Sequence, residues 1–416
     1  MYNMQYKRYL PAILLALLSA CAVKAQQRMF TLDECVAKAI DTSFGLQSSR
    51  KSVERSQSMV ATAWDLPKTT LTLSQDPTSG GSPDNAVSIG QEMEFPTLYI
   101  ARRRQLKAET KVEESRYAVA KTTLVAEVEG CYWRLVYMNS RIRILSRQDS
   151  LLAAYRHMVQ QRFDAGDIRR LELLSAERLC NDNRMSLDAA RSEAETVRLQ
   201  LAQLTGENGA DVADTQLPVL PLPSAPFNAG TTPDALLATD RLTAADRAVA
   251  VAKGGYAPSL SLSLRNQLVI TGWDPYRQNR SRFSEGNFMG FEVGVGVPLF
   301  YGATKARVKA AKKEKEMLQM DAQASRQRQE YEYCSAMSKC DAHYRRVEYY
   351  QREGIAKADE MERLALLEYQ NGEISYLEYG SAIQECLAMR LGYIEAVNDF
   401  NQSVVVLRKF FVLNTD

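Results

Sequence analysis

The sequence predicts a mainly helical protein with long antiparallel helical hairpins and four β-strands. Three observations predict this fold: an internal repeat, apolar residues at helical spacing over very long stretches, and four short segments that alternate between apolar and polar residues. The chain has 416 residues, of which 45% are hydrophobic and 25% charged. An ordered protein with a large buried core is therefore expected.

The internal repeat is clearest at two glycine-centred segments. Residues 163–172 (FDAGDIRRLE) align with residues 369–378 (YQNGEISYLE) and share Gly, Ile, Leu and Glu in register. Each half also contains a proline followed by alternating leucines, at Pro67 and at Pro258. Each half is therefore predicted to contain a helix, two strands, a long helix, a tight turn and another helix.

The repeat also divides the chain. Residues 206–232, rich in Pro, Gly, Ala and Asp, separate the two halves and are expected to form an equatorial linker beside the helices. The expected divisions are a first repeat over 26–205, with a β-hairpin at 69–95 and a turn at 163–168, and a second repeat over 233–416, with a β-hairpin at 259–297 and a turn at 369–374.

The helical segments carry apolar residues at steps of three and four. This spacing runs from residue 117 to residue 163 and recurs over 187–204, which indicates coiled-coil packing. A helix over 97–162 would be on the order of 100 Å long, and no compact domain contains such a rod. Further helices are expected over 32–65, 168–204, 233–256, 304–369 and 375–412.

The alternating segments indicate strands with one apolar face. In the second half, Leu260, Leu262 and Leu264 alternate with serines, and Phe291, Val293 and Val295 alternate with Glu and Gly. In an exported protein, such strands fit either a half-buried sheet of a soluble domain or an outer-membrane sheet. Four strands cannot close a barrel of the minimum of about eight, so the membrane interpretation requires several chains.

The first residues have the order of a secretory signal peptide. Lys7 and Arg8 precede an uncharged stretch, residues 9–23, that is too short for a transmembrane helix of about 20 residues. Two processing sites compete: lipidation at Cys21 after a leader of residues 1–20, and cleavage after a leader of residues 1–25. We therefore expect an exported chain that could enter a membrane only through its strands.

Charge and residue usage exclude other classes of function. The formal net charge is +2 and becomes zero when a leader that ends before Cys21 removes Lys7 and Arg8, so no nucleic-acid partner is expected. The remaining cysteines lack the spacing of a disulfide scaffold or a metal knuckle. The histidines, His157 and His343, are isolated within helical sequence. No metal site, cofactor or enzymatic activity is predicted.

This layout resembles the TolC family of outer-membrane efflux proteins across nearly the whole mature chain. The resemblance rests on the opening LDECVAKA at 32–39, the strand entries at Pro67 and Pro258, the segment VPLFYG at 297–302 and the two glycine-centred turns. It implies a homotrimer in which each chain contributes four strands to one twelve-stranded outer-membrane β-barrel. A periplasmic helical tunnel, or α-barrel, would lie below it and narrow at the turns.

The resemblance also implies a function and partners. The chain would conduct solutes passively from the periplasm to the exterior, joined by a periplasmic adaptor (membrane fusion) protein to an inner-membrane pump. The segment 369–379 looks most like the branch that serves heavy-metal or cation exporters of the resistance-nodulation-division type. Exit ducts for drugs or for type I secretion share the fold and stay open as alternatives. A soluble periplasmic coiled-coil scaffold is the alternative from a different class.

Two carboxylates are singled out by the same resemblance. Glu378 falls where the family places a pore-facing carboxylate inside the periplasmic constriction, and Glu172 falls at the equivalent place in the first repeat. Three copies would form an acidic ring that favours cations. A glutamate near a helix start is also simply favoured by the helix dipole, and this alternative stays open. Ser381 stands where the family has a second acidic residue.

The turns themselves are the expected docking surface for the adaptor, because charged residues at exposed tips are available to a partner. Aromatic residues near the strand ends are expected to form interfacial girdles, among them Trp64, Tyr99, Trp273, Tyr276 and Phe288. The docking residues expected at the tips are Asp164, Gly166, Asp167, Gly372, Glu373 and Tyr376.

Overall fold

The computed structural model describes residues 29–77, 83–207, 209, 211–268 and 288–412. The predicted leader, Cys21 and the aromatic residues Trp273 and Tyr276 lie outside the described residues, as does the side chain of Phe288. The described elements are β1 (Met29–Phe30), α1 (Leu32–Thr42), α2 (Phe44–Met59), a 3₁₀ turn (Val60–Trp64), β2 (Thr70–Pro77), β3 (Pro83–Glu94), α3 (Pro96–Asp164), α4 (Arg170–Thr205), β4 (Asp211–Val212), α5 (Pro233–Gly254), β5 (Ser259–Leu268), β6 (Phe288–Gly296), α6 (Gly302–Tyr349), a π-helical turn (Tyr350–Gly354), α7 (Ile355–Asn371) and α8 (Tyr376–Arg408).

The predicted fold class is confirmed: long helices dominate, and the four longer strands form one antiparallel sheet in the order β2-β3-β5-β6. The register places Leu71 opposite Ile89, Ile89 opposite Leu264, and Leu264 opposite Phe291. One apolar row therefore crosses the sheet on a single face. This face is uncovered in the chain, because Leu71 is 72% exposed and Phe291 is 78% exposed.

The first helical segment differs from the single helix expected over 32–65. The backbone leaves the helical conformation at Ser43, which has ψ 111°, and the Ser43 hydroxyl accepts a hydrogen bond from the backbone N–H of Leu46 at 3.3 Å. Such a hydroxyl satisfies a donor of the first turn of α2. The segment is therefore two helices followed by a 3₁₀ turn.

The helix expected over 304–369 is also interrupted. The π-helical turn at 350–354 places the ring of Tyr350 against Gly354 and against Gly392 of α8, and a side chain at either glycine would meet this ring. A π-helical turn inserts a residue into the helical hydrogen-bond ladder. The packing of Tyr350 between two glycines explains its position.

Packing divides the chain into two compact units that do not follow the two repeats. One unit contains Met1–Gln47, Ala120–Asn228 and Glu330–Asp416, and the other contains Ser48–Val119 and Ala229–Gln329. Each unit takes segments from both repeats. The four-stranded sheet belongs to the second of these units, and both helical turns belong to the first.

The core of the first unit is built on α3. Its central residues include Val128, Tyr132, Leu135 and Val136, which pack with apolar residues of α4 and α8. The Tyr132 hydroxyl also donates a 2.6 Å hydrogen bond to Asp214 of the segment 206–232. Apolar side chains at three and four-residue steps are therefore buried together, as coiled-coil spacing requires.

Two cysteines at equivalent positions of the repeats show the internal symmetry. The thiol of Cys180 donates to the carbonyl oxygen of Leu152, and the thiol of Cys386 donates to that of Ala358, both at 3.3 Å. Both cysteines are buried and free. They are small seam residues between adjacent helices.

Within the first unit, a buried side chain of α8 binds the irregular segment 206–228. Asn401 is fully buried, donates to the carbonyl oxygen of Pro218 at 2.7 Å and accepts from the backbone N–H of Leu220 at 3.0 Å. The ring of Phe227 stacks on Tyr333 at 3.8 Å. A buried amide with both bonds satisfied holds this irregular segment on the helices.

We expect Asn401→Leu to lower the free energy of unfolding by about 1 to 3 kcal/mol, because it leaves a buried backbone N–H and a carbonyl without partners. Gln402→Leu is the control, since Gln402 is half-buried and makes a single hydrogen bond to the carbonyl oxygen of Gly130. Guanidinium unfolding of the detergent-solubilised protein measures the free energy of unfolding of both variants. Equal midpoints for the two variants would contradict this role of Asn401.

Candidate functional site

Both helical hairpins turn with the same backbone hydrogen bonds. Gly166 and Gly372 have φ angles of +79° and +77°. In each turn, the next residue donates its backbone N–H to the carbonyl oxygen five residues earlier, at 2.9 Å for Asp167 and 2.8 Å for Glu373. This is a Schellman motif, whose left-handed position favours glycine. The two glycines are therefore required by backbone geometry.

The helices that follow the two turns begin differently. Ser375 caps α8: its backbone N–H donates to the Glu378 carboxylate at 2.7 Å, and its hydroxyl accepts from the Glu378 backbone N–H at 3.3 Å. At the equivalent place before α4, Arg169 provides no side-chain cap among the described residues. The capping box therefore exists in the second repeat and is missing from the described first-repeat turn.

Glu378 is exposed and bonded to the start of its own helix. The backbone N–H of Ser375, and then its side chain, hold the pKa of the Glu378 carboxyl below its ordinary value. The carboxylate is therefore ionised at neutral pH. The geometry supports the helix-start role of this glutamate directly, and its place in a pore stays a prediction.

Glu172 lies close to the other hairpin. It is half-buried in the first turn of α4, and its charge acts on Tyr376 of α8, whose pKa is raised first by burial and then by this carboxylate. The structure thus brings Glu172 near Tyr376. As with Glu378, its place in an acidic ring stays a prediction.

A groove between α7 and α8 carries more negative than positive charge. It is lined by Glu360, Glu368 and Glu378, together with Lys357 and apolar residues. Lys357 is engaged by Glu353 at 2.6 Å. Three carboxylates along one groove attract cations without chelating them. In the part of the chain that the structure describes, no group of His, Cys, Asp and Glu side chains is arranged to hold a metal ion.

Three tyrosines join the two hairpins just behind the turns. Tyr369 of α7 and Tyr379 of α8 stack at 4.7 Å, and Tyr155 of α3 packs on Tyr379 at 5.5 Å. The Tyr155 hydroxyl donates to the backbone carbonyl of Tyr376 at 3.0 Å. Burial raises the pKa of Tyr155, so its hydroxyl stays protonated at neutral pH. We call Tyr155, Tyr369 and Tyr379 the tyrosine cluster.

Little in the sequence points to this cluster. Tyr155 is visible only as one residue of the helical spacing of α3, and Tyr369 only as part of the turn segment. Phe163 and Leu173 occupy the equivalent places of Tyr369 and Tyr379 in the first repeat. Comparison of the repeats therefore distinguishes Tyr379, whose counterpart is aliphatic, and not Tyr369, whose counterpart is also aromatic.

The expected docking residues fall into two groups. Asp164, Asp167 and Glu373 are exposed, as are both turn glycines, and a β-carbon on either glycine would meet no described atom within 4 Å. Tyr376 is instead partly buried against the apolar residues behind the turns. The glycines at the tips are therefore open, and exposed acidic side chains lie beside them, together with the exposed Arg169 and Arg170 of the first turn.

Comparison with known proteins defines the class of the chain. The family model described as outer membrane efflux protein matches residues 36–207 and 232–411. The chain therefore belongs to the outer membrane efflux protein family, in agreement with the resemblance to TolC-family proteins. The family places it in the outer membrane. In the described residues, no helix combines the length and apolar character needed to cross a membrane.

Solved structures with the same fold cover nearly the whole chain. A membrane protein from Pseudomonas aeruginosa has a TM-score of 0.75 at 18% identity, covering 91% of this chain and 90% of that one. CusC, whose structures concern folding and transmembrane channel formation, has a TM-score of 0.74 at 16% identity, with 91% of each chain covered. The MtrE outer membrane channel of Neisseria gonorrhoeae, in its open state, has a TM-score of 0.72 at 18% identity, covering 91% and 88%. No curated protein sequence matches this chain closely enough to count as a relative.

We expect Ser375→Ala to accelerate amide hydrogen exchange at the start of α8 about fivefold, because removing such a cap costs about 1 kcal/mol. Glu378→Gln should have a smaller effect, since glutamine also accepts the Ser375 N–H. Arg169→Ala is the matched control and should leave exchange at the start of α4 unchanged.

The pH dependence follows from the lowered pKa of Glu378. The stabilisation of the helix start by the ionised Glu378 carboxylate is fully present above the ordinary pKa of 4.5. It is lost as the pH falls through the lower pKa of the folded state. The protection factor at the start of α8, which corrects for the pH dependence of intrinsic exchange, should therefore fall below about pH 4.5 in the wild type and stay flat in Glu378→Gln. Equal pH profiles for both proteins would contradict the capping role.

Proposed function

We propose that three copies of this chain form a passive exit duct in the outer membrane. The duct would receive solutes from an inner-membrane pump of the resistance-nodulation-division type through a periplasmic adaptor. The observation that supports this most is the four-stranded sheet, which has one uncovered apolar face and, in the described residues, unpaired outer edges on β2 and β6. Four strands are too few to close on themselves, and three chains would supply twelve.

Conduction by such a duct requires no covalent chemistry from the protein. The pump supplies the energy, and the duct supplies a path that opens and closes at its narrow end. The exposed turns at Asp164, Asp167 and Glu373 are the surface we propose for the adaptor. Docking there would act on the tyrosine cluster, which joins the two hairpins of one chain just behind the turns.

Within this function we propose metal cations as the solute. Three copies of Glu378, with Glu360 and Glu368 in the same groove, would place a ring of ionised carboxylates near the narrow end. Such a ring attracts cations into the pore without binding them tightly. The weak coordination suits a duct, because a solute must also leave the site.

Planar bilayers test the acidic ring. We expect the wild-type channel to prefer cations over anions, and Glu378→Gln to lower this preference at least about twofold because it removes three ring charges from the trimer. The substitution keeps the capping hydrogen bond, so a change in selectivity reports charge. Glu332→Gln, at an exposed position far along α6, is the matched single-charge control. Unchanged ion selectivity in Glu378→Gln would contradict the proposal of an acidic ring.

The solute class is tested by growth of a strain that lacks this gene. We expect sensitivity to salts of metal cations, restored by the wild-type gene, because export to the exterior would stop without the duct. The panel also contains dyes, bile salts and antibiotics. Sensitivity confined to these organic compounds would contradict the metal proposal and make the chain a drug-efflux exit, and no sensitivity would favour a role in protein secretion.

A further inference from the structure

The helices that follow the sheet begin with two basic faces. α3 starts just after β3 ends, and α6 starts a short loop after β6 ends. At 100° per residue, four of the basic side chains near the start of each helix fall within an arc of about 100°. We call these sets the basic faces: Arg103, Arg104, Lys107 and Lys111 on α3, and Lys305, Lys309, Lys312 and Lys313 on α6.

Most of these cations are exposed and unpaired. Lys111 and Lys313 pair with glutamates of their own helices, at 3.0 Å and 2.5 Å. The other six have no acidic partner among the described residues, and all six are exposed. Like charges one turn apart on a helix repel each other. Six unpaired cations on two short helical segments therefore favour an external anion.

Three carboxylates lie on the opposite sides of the same helices. Glu109 and Glu113 of α3 and Glu314 of α6 line a groove that is shared with α2 and α5 within the same unit. Helical spacing places these carboxylates across each helix from its basic face. The separation is partial, because the glutamates that pair with Lys111 and Lys313 lie on the basic faces themselves.

Several large apolar side chains near the junctions of the sheet and the basic faces are exposed. Leu299 and Phe300, in the loop before α6, are 77% and 92% exposed. Trp64 is half exposed and stacks on Tyr99 at 5.3 Å, beside the start of α3. Along the chain, the order is an apolar sheet face, then aromatic residues, then cations. A bilayer presents the matching order of hydrocarbon, interface and headgroup phosphate.

The dimensions are also compatible with a headgroup layer. Each basic face spans about 12 Å along its helix, and the headgroup region on one side of a bilayer is about 5 to 8 Å thick. Lysine and arginine side chains reach toward it while their aliphatic stems stay on apolar surface. The lysines of each basic face that are farthest from the sheet would lie within about one Debye length of the headgroup phosphates, on the order of 8 Å at physiological salt. Their charges would therefore still be attracted to the phosphates.

We propose that the two basic faces bind the headgroups of anionic phospholipids at the periplasmic surface of the outer membrane. This inference rests on the proposed function only for the position of the sheet in the membrane. The ligand is the phosphate of a lipid such as phosphatidylglycerol. Binding holds the strand-to-helix junctions at the membrane surface while the helical tips move.

The test uses the full-length protein in a zwitterionic detergent, with equilibrium binding of fluorescent phosphatidylglycerol and competition by phosphatidylcholine. The variants are Arg103→Gln/Arg104→Gln/Lys107→Gln and Lys305→Gln/Lys309→Gln/Lys312→Gln. We expect each to weaken binding at least about tenfold, since each cation near an anionic lipid surface contributes roughly fivefold. Lys305→Arg/Lys309→Arg/Lys312→Arg keeps the charge and should bind as the wild type does.

The matched control removes three exposed cations farther along α6, as Arg326→Gln/Arg328→Gln/Lys339→Gln, and should bind normally. Wild-type binding by the face variants, or an equal loss in this control, would overturn the proposal. Displacement of the lipid by millimolar inorganic phosphate would also overturn it, because the site would then be a free-anion site.

Vesicles separate this inference from the proposed function. Wild-type protein should insert more efficiently into vesicles of phosphatidylcholine with phosphatidylglycerol than into phosphatidylcholine alone. Equal insertion into both kinds of vesicle would contradict lipid binding by the basic faces but would not contradict the proposed duct. Failure to insert into either kind of vesicle would reject the duct itself.

Discussion

The uncovered apolar face of the four-stranded sheet is the constraint on which the rest of the structure depends. Leu71, Ile89, Leu264 and Phe291 form one row across it, and the described chain provides no residues that cover them. The outer edges of β2 and β6 leave backbone groups unpaired among the described strands, which strongly favours pairing with another chain. Further copies of the chain would pair with the edge strands, and lipid would cover the apolar face.

The two helical hairpins share one packing pattern. Seam residues such as Cys180 and Cys386 bury little volume and repeat in both halves, so the hairpins pack evenly. The tyrosine cluster and the π-helical turn at Tyr350 interrupt this pattern, and both lie in or against the second hairpin. The second hairpin is therefore the less regular of the two.

The fold was largely predictable because its signals are local and repeated. Alternation marked the strands, and the left-handed turns require glycine, so Gly166 and Gly372 were visible in duplicate. The break at Ser43 was missed, since a serine inside a helical pattern does not reveal that it caps a second helix. The bonds of Asn401 to residues 218 and 220 join distant parts of the chain, which spacing alone does not disclose.

The candidate site was predictable only in part. Resemblance selected Glu378 and Glu172, and the structure adds that one is bonded into a capping box while the other lies near Tyr376. The tyrosine cluster depends on contacts among three helices, so helical spacing identified its members only as seam residues. The contrast between Ser375 and Arg169 was visible in the aligned repeats, because a capping box requires both a serine and a glutamate.

In the proposed duct, one chain supplies a third of a closed assembly. Light scattering of the detergent-solubilised protein, corrected for bound detergent, measures the protein mass of the particle directly. We expect the mass of three chains in a particle that persists on dilution. A stable particle with the mass of one chain, 46.7 kDa before any processing, and with intact helical content would contradict it.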